Sequence, residues 1–160
     1  MDSRAADLIA SLGLVPHPEG GYFRQLYRSA LQVQPLDDRS PRAALTTIYF
    51  LLPEADVSRW HRVASDEVWH HYEGDDLELF TADADFERVD RHTLGRVGTG
   101  SPVHVVRAGE WQAARSTGTY TLVGCTVGPG FEFTDFLLLR DAPAAADAVR
   151  LRHPDVSRFI

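Results

Sequence analysis

The sequence predicts an all-β fold of the sandwich or barrel type, closed by a short helix at each end, on three observations. Short runs rich in β-branched and aromatic residues recur through the middle of the chain, with turn residues between them at close intervals. One run, Ala44 to Leu52, is apolar almost without a break, as expected of a strand covered on both faces. At the two ends the spacing of apolar residues changes to that of helices.

The elements follow in order. Ala5, Leu8, Ile9 and Leu12 form one helical stripe that Ser3 is placed to cap and Gly13 to end. Pro16-His17-Pro18-Glu19-Gly20-Gly21 reads as a rigid turn in which the ring of His17 packs on the surface. Tyr22 to Arg28 alternates as a strand, with Tyr22, Arg24, Leu26 and Arg28 on one face. After Ala44 to Leu52, further strands are predicted at Ser58 to Val63, Glu67 to Tyr72, Leu77 to Thr81, Val103 to Arg107, Ala113 to Ser116, Thr119 to Val127 and Phe131 to Leu139. Asp83 to Gly100, with Gly95, Gly98 and Gly100 near its end, reads as a strand with long connections inside the same domain. Ala142 to Leu151 is the terminal helix, and Pro154 blocks its simple continuation.

A chain of 160 residues is sized for one domain with a core of its own. It carries 16 basic and 23 acidic residues, a net charge of -7, with no arginine cluster, so nucleic acid is not an expected partner. Every basic residue is arginine, which excludes Schiff-base and lysine-base chemistry. The single cysteine, Cys125, lies in an apolar run and reads as a small core residue, and no intrachain disulfide is possible. The first residues lack the pattern of a secretory signal and no run approaches the length of a membrane helix, so a cytoplasmic protein without membrane contact is expected.

The segment Ser58 to Gly74 is the most informative for chemistry. It places His61 and Glu67 on neighbouring predicted strands across a short turn, and the period of two puts Glu67, Trp69 and His71 on one face. His61, Glu67 and Gly74 resemble the first cupin motif, His-x-His, three or four residues, Glu, six residues, Gly. Val63 stands at the second histidine. The second motif, Pro-x-Gly-x-x-His, aligns with Arg107 to Gln112, where Gln112 replaces the histidine. Pro16 to Arg24 and Gly128 to Phe133 are more specific, and with them nearly the whole chain resembles the uncharacterised single-domain branch known as the fifth cupin family. The resemblance implies an all-β double-stranded β-helix, the RmlC-like cupin jelly roll, with short N- and C-terminal helices. It supplies a fold and not a reaction.

Four readings of the site stay open. His61, Glu67 and Gln112 offer an imidazole, a carboxylate and an amide oxygen to a divalent metal (Mn, Fe, Ni or Zn), as in a metal-dependent oxygenase or isomerase. Without metal, His61 and Glu67 provide a base and its partner for epimerase- or isomerase-like chemistry on a small polar metabolite such as a sugar or nucleotide derivative, with Tyr49 or Tyr120 as acid. The same pocket also suits a non-catalytic ligand-binding protein, or an inert buried pair. Tyr22, Arg24, Trp69, His71 and Gln112 are the candidate ligand-binding residues, Trp69 as a wall beside Glu67. Arg28 reads as a solvated arginine, and Trp60 and Trp111 as core. Association through sheet edges into a homodimer is expected.

Overall fold

The computed structural model describes residues 2–160. Helix α1 (Ser3–Leu12) is followed by strands β1 (Val15–Pro16), β2 (Tyr22–Arg28), β3 (Gln32–Val33), β4 (Arg42–Ala43), β5 (Thr46–Pro53), β6 (Val57–Val63), β7 (Asp66–Gly74), β8 (Leu77–Ala82), β9 (Val89–Leu94), β10 (Val103–Val106), β11 (Trp111–Ser116), β12 (Tyr120–Gly128) and β13 (Phe136–Leu138). Helix α2 (Pro143–Arg152) and a 3-10 turn (Pro154–Phe159) complete the chain. Two antiparallel sheets, in the orders β1-β2-β5-β12-β7-β10 and β13-β6-β11-β8-β9, stack as a jelly-roll sandwich, and β3-β4 forms a small separate ladder.

Alternation along each strand divides the apolar residues into three layers. Phe50, Leu52, Trp69, Leu77, Leu79, Ala114, Val123 and Cys125 fill the space between the sheets. Leu51, Tyr120 and Leu122 point out of the six-stranded sheet and are covered by Ala5 and Leu8 of α1. This cover is why the β5 sequence is apolar on both faces. Trp60, Phe80 and Trp111 point out of the five-stranded sheet and are covered by Ala146, Val149, Val156 and Phe159 from the C-terminal segment. Trp60 Nε1 donates to Val156 O at 3.0 Å, so the bulky indole is also polar-satisfied.

The structure corrects several local expectations. Asp2, not Ser3, caps α1, its carboxylate accepting from Arg4 N and Ala5 N, while Gly13 ends the helix in the left-handed conformation as expected. A bulge in β2 between Gln25 and Tyr27 breaks the predicted common face: Tyr22 and Arg24 lie opposite Leu51 and Tyr49, on the helix side, whereas Arg28 lies opposite Thr46, on the inner side. The strand predicted over Phe131 to Leu139 is instead a 3-10 turn at Phe133–Asp135, β13, and a second 3-10 turn at Leu139–Asp141. Asp135 explains the break. Arg42 grips it through two bonds of 2.8 Å, and Arg39 adds a third at 3.3 Å, which turns the chain before Phe136.

Candidate functional site

One end of the space between the sheets opens into a cavity of about 630 Å³, measured out to its mouth. Its polar lining is His17, Glu19, Gln25, Thr46, His61, Glu67 and Cys125, and its walls include Phe23, Phe50, Trp69, Phe131, Phe133 and Phe136. Among the described residues no arginine lines it. His61 enters from β6 and Glu67 from β7, so the two motif residues face each other from opposing sheets.

A bulge prepares the β6 wall. Ser58 pairs with Ala114 and His61 with Gln112, partners two apart on β11, so Ser58 and His61 share the inner face despite being three residues apart. Between them Arg59 N–H donates to Glu19 O at 2.9 Å, docking the Pro16 to Gly21 loop against the strand. The paired glycines permit this approach: Gly20 has φ +113, and a Cβ there would lie 2.0 Å from Val57 O. The loop therefore carries Glu19 inside, where Ser58 Oγ donates to Oε1 at 2.7 Å and His61 Nε2 lies 3.2 Å from Oε2. His17 follows it in, its ring packed edge-on against Phe23 and Phe50, and its Nδ1 accepts from Glu19 N–H at 3.3 Å. The expected surface position of His17 is thus overturned, and Glu19 is a site residue that the sequence reading missed. The signal was present in the loop sequence, whose two glycines mark a close backbone approach.

Electrostatics fix the protonation of this cluster. Burial raises the Glu19 carboxyl to about 8, against the opposing hydrogen bond from Ser58. Burial lowers His61, although the charge of Glu67 and the Arg59 carbonyl pull the other way. His17 falls to about 3, by burial and by the neighbouring charge of His61. The 3.2 Å contact between His61 and Glu19 is therefore a neutral hydrogen bond at pH 7 rather than an ion pair. His61 Nδ1–H donates to Arg59 O at 2.7 Å, which leaves Nε2 to accept the Glu19 proton. By the same accounting His17 carries its proton on Nε2, which reaches the open cavity, since among the described residues no buried side-chain nitrogen or oxygen is left without a partner.

The opposite wall is closed on itself. Trp69 Nε1–H donates to Gln112 Oε1 at 2.9 Å, and Gln112 Nε2 donates to Glu67 Oε2 at 2.6 Å. An indole can only donate, so the amide orientation is determined: Gln112 shows its oxygen to Trp69 and its N–H to Glu67. Gln112 therefore turns its N–H rather than its oxygen toward Glu67, so its oxygen is not presented beside that carboxylate and the expected metal set of His61, Glu67 and Gln112 does not fit. Among the described residues no three His, Cys, Asp or Glu side chains are grouped to hold a metal ion. Burial raises the Glu67 carboxyl, with His61 opposing and Glu19 reinforcing the shift. Cys125 is buried beside it, and burial and the two glutamates push its thiol up, which removes it as a nucleophile at neutral pH.

The remaining candidates lie elsewhere. Tyr120 donates to Glu73 at 2.9 Å beneath α1, and Tyr49 packs in the same outer cluster, so neither reaches the cavity as an acid. Tyr22 is in that cluster too, and Arg24 donates to Leu12 O at 2.9 Å at the end of α1. His71 keeps the inner face but sits beyond the cavity, where its Nε2 lies 3.1 Å from Asp75 O. Arg28 is exposed, as expected of a solvated arginine, and it also bonds Phe131 O at 3.2 Å and pairs with Glu132, holding the aromatic loop.

The family model described as "Cupin superfamily (DUF985)" matches residues 6–139. The chain belongs to the cupin superfamily. The structure of a hypothetical protein from Leishmania major shares 30% identity with this cupin over 98% of this chain and 96% of that one, at a TM-score of 0.83. A protein from Shewanella oneidensis shares 30% identity over 96% and 92%, at 0.78. Oxalate decarboxylase from Bacillus subtilis resembles it in fold alone, at 11% identity over 91% of this chain and 36% of that one, with a TM-score of 0.60. No curated protein matches the sequence. Among the described residues no helix of this cupin is long and apolar enough to cross a membrane.

Proposed function

We propose that this cupin binds a small metabolite in the cavity and moves protons within it, an epimerase- or isomerase-type reaction. One observation carries the reading: a buried acid, Glu19, is hydrogen-bonded to a buried neutral imidazole, His61, with a second carboxyl, Glu67, entering from the opposing sheet. Glu19, with its pKa near 8, is matched to proton donation at neutral pH. His61 Nε2 orients the Glu19 proton by accepting from it, and after turnover solvent entering with product release takes the proton gained by Glu67 and returns one to Glu19. Glu67 accepts the substrate proton from the other side, and Gln112 steadies the carboxylate. Trp69 and the phenylalanines exclude water from the exchange.

Incubating the protein with a metabolite extract in D2O and following deuterium incorporation by mass spectrometry tests this reading. Incorporation into a particular metabolite is expected from the wild type, reduced about a hundredfold or more in Glu19→Gln and in His61→Ala. A metabolite retained in native mass spectrometry without deuterium uptake would replace this reading with non-catalytic ligand binding. A homodimer is also proposed, supported by the exposed outer residues Val103, Val105 and Tyr72 of β10 and β7; a monomeric mass in light scattering would remove it. A cytoplasmic location is proposed with it, the single buried cysteine suiting a reducing compartment.

A further inference from the structure

We infer that the ligand of the cavity is an organic cation, an amine or a quaternary ammonium compound, its charge beside Glu67 and Glu19 and its apolar body against Phe50, Trp69 and Phe136. The inference names the substrate class of the proton-transfer reading and rests on it only in using the same cavity.

Charge inventory is the first argument. Two carboxyl groups line the cavity and none of the 16 arginines does. Among the described residues Glu67 accepts from a single nitrogen, the neutral amide of Gln112, and has no salt-bridge partner. No arginine offsets a charge on Glu67, and His61, which pulls its carboxyl back down, is itself held toward neutrality by burial, so a carboxylate buried here is costly. A ligand cation supplies the counter-charge. A phosphate or carboxylate ligand would meet two acids and no guanidinium, so the anionic class is disfavoured by the same inventory.

The walls make the second argument. Phe23, Phe50, Trp69, Phe131, Phe133 and Phe136 surround the carboxyls. Aromatic faces carry negative potential and attract desolvated cations, ammonium groups among them. Trp69 is held by its bond to Gln112 and packs edge-on against Phe50 with ring centroids 5.9 Å apart, so this part of the wall is preformed. The His17 ring lines the same cavity and can offer its Nε2–H to an oxygen of the ligand.

Three probes of one shape and different charge decide the matter: benzylamine, benzyl alcohol and benzoate, titrated calorimetrically into the wild type and Glu67→Gln at pH 7. Benzylamine is expected to bind wild type at least about tenfold tighter than benzyl alcohol, with benzoate weakest. In Glu67→Gln the benzylamine and benzyl alcohol affinities should converge to within about twofold, while retained benzyl alcohol binding reports an intact cavity. Wild-type binding of benzyl alcohol or benzoate as tight as that of benzylamine overturns the inference, as does the absence of benzylamine binding at about 10 mM. If Glu67→Gln does not fold, the wild-type charge series decides alone. Deuterium uptake reads the reaction separately, so a failed charge series with uptake intact removes the cation and leaves the proton transfer.

Discussion

The two walls of the cavity use the same residue types to different ends. On the β7 side, Trp69, Gln112 and Glu67 form a chain in which each link consumes the polar group of the next. On the β6 side, Glu19 and His61 share one proton between two groups whose environments have each moved toward neutrality. His17 beside them turns its ring to the same cavity. The tied chain holds one carboxyl, Glu67, in a fixed place, whereas the pair holds an exchangeable proton next to an open space. A glutamine in place of the expected second-motif histidine is the residue that ties the first wall together.

Separating activity from stability breaks or sharpens this comparison most strongly. Glu19→Gln should cost about a hundredfold or more in deuterium exchange with little loss of stability, because Gln is nearly isosteric with a protonated glutamate and still accepts from Ser58. Gln112→Leu should do the reverse in its primary effect. It leaves Trp69 Nε1 and Glu67 Oε2 buried without partners, a loss of roughly 2 kcal/mol or more in denaturant unfolding. Equal stability losses in the two variants would erase the distinction between the walls.

Next in size is the pH dependence of stability. Glu19 has its folded pKa raised from 4.5 to about 8, so its contribution is fully present below pH 4.5 and is lost as pH rises toward 8. His17 is depressed from 6.5 to about 3, so its contribution is present above pH 6.5 and is lost as pH falls toward 3. Each group acting alone gives a slope of up to roughly 1.4 kcal/mol per pH unit within its window. Denaturant midpoints should show the alkaline loss reduced in Glu19→Gln and the acid loss reduced in His17→Gln. Unchanged slopes would mean that neither group is buried as described.

The smallest effect belongs to the outer wall. Tyr120→Phe removes one partly exposed hydrogen bond to Glu73 and should cost about 1 kcal/mol or less, with deuterium exchange unchanged. A large loss of exchange would return this tyrosine to the site.

How much was legible in the sequence follows from this geometry. Strand positions and the inward aim of His61, Glu67 and Trp69 come from local alternation, which the sequence displays directly. Tyr22 and Arg28 were assigned to one face because a bulge adds a residue without a compositional mark, and β2 changes face at Leu26. Tyr49 and Tyr120 were offered as acids because alternation alone does not say which face of β5 or β12 a helix will cover, and α1 covers theirs. Gln112 was read by position, as a weakened ligand, whereas its chemistry is decided by Trp69, 43 residues away in sequence. Glu19 was missed because it reaches the cavity from a turn, through one backbone bond to Arg59, and no periodicity describes a turn.

The neutral pair is the central claim, and nitrogen NMR of the histidine rings at pH 7 tests it most directly, with His61→Ala to assign the signals. His61 should appear as a neutral imidazole protonated at Nδ1, with Nε2 in the hydrogen-bonded acceptor range, and Glu19→Gln should shift only the Nε2 signal strongly. An imidazolium spectrum for His61 at pH 7 would contradict the account, since the contact with Glu19 would then be an ion pair with no proton on the carboxyl to give.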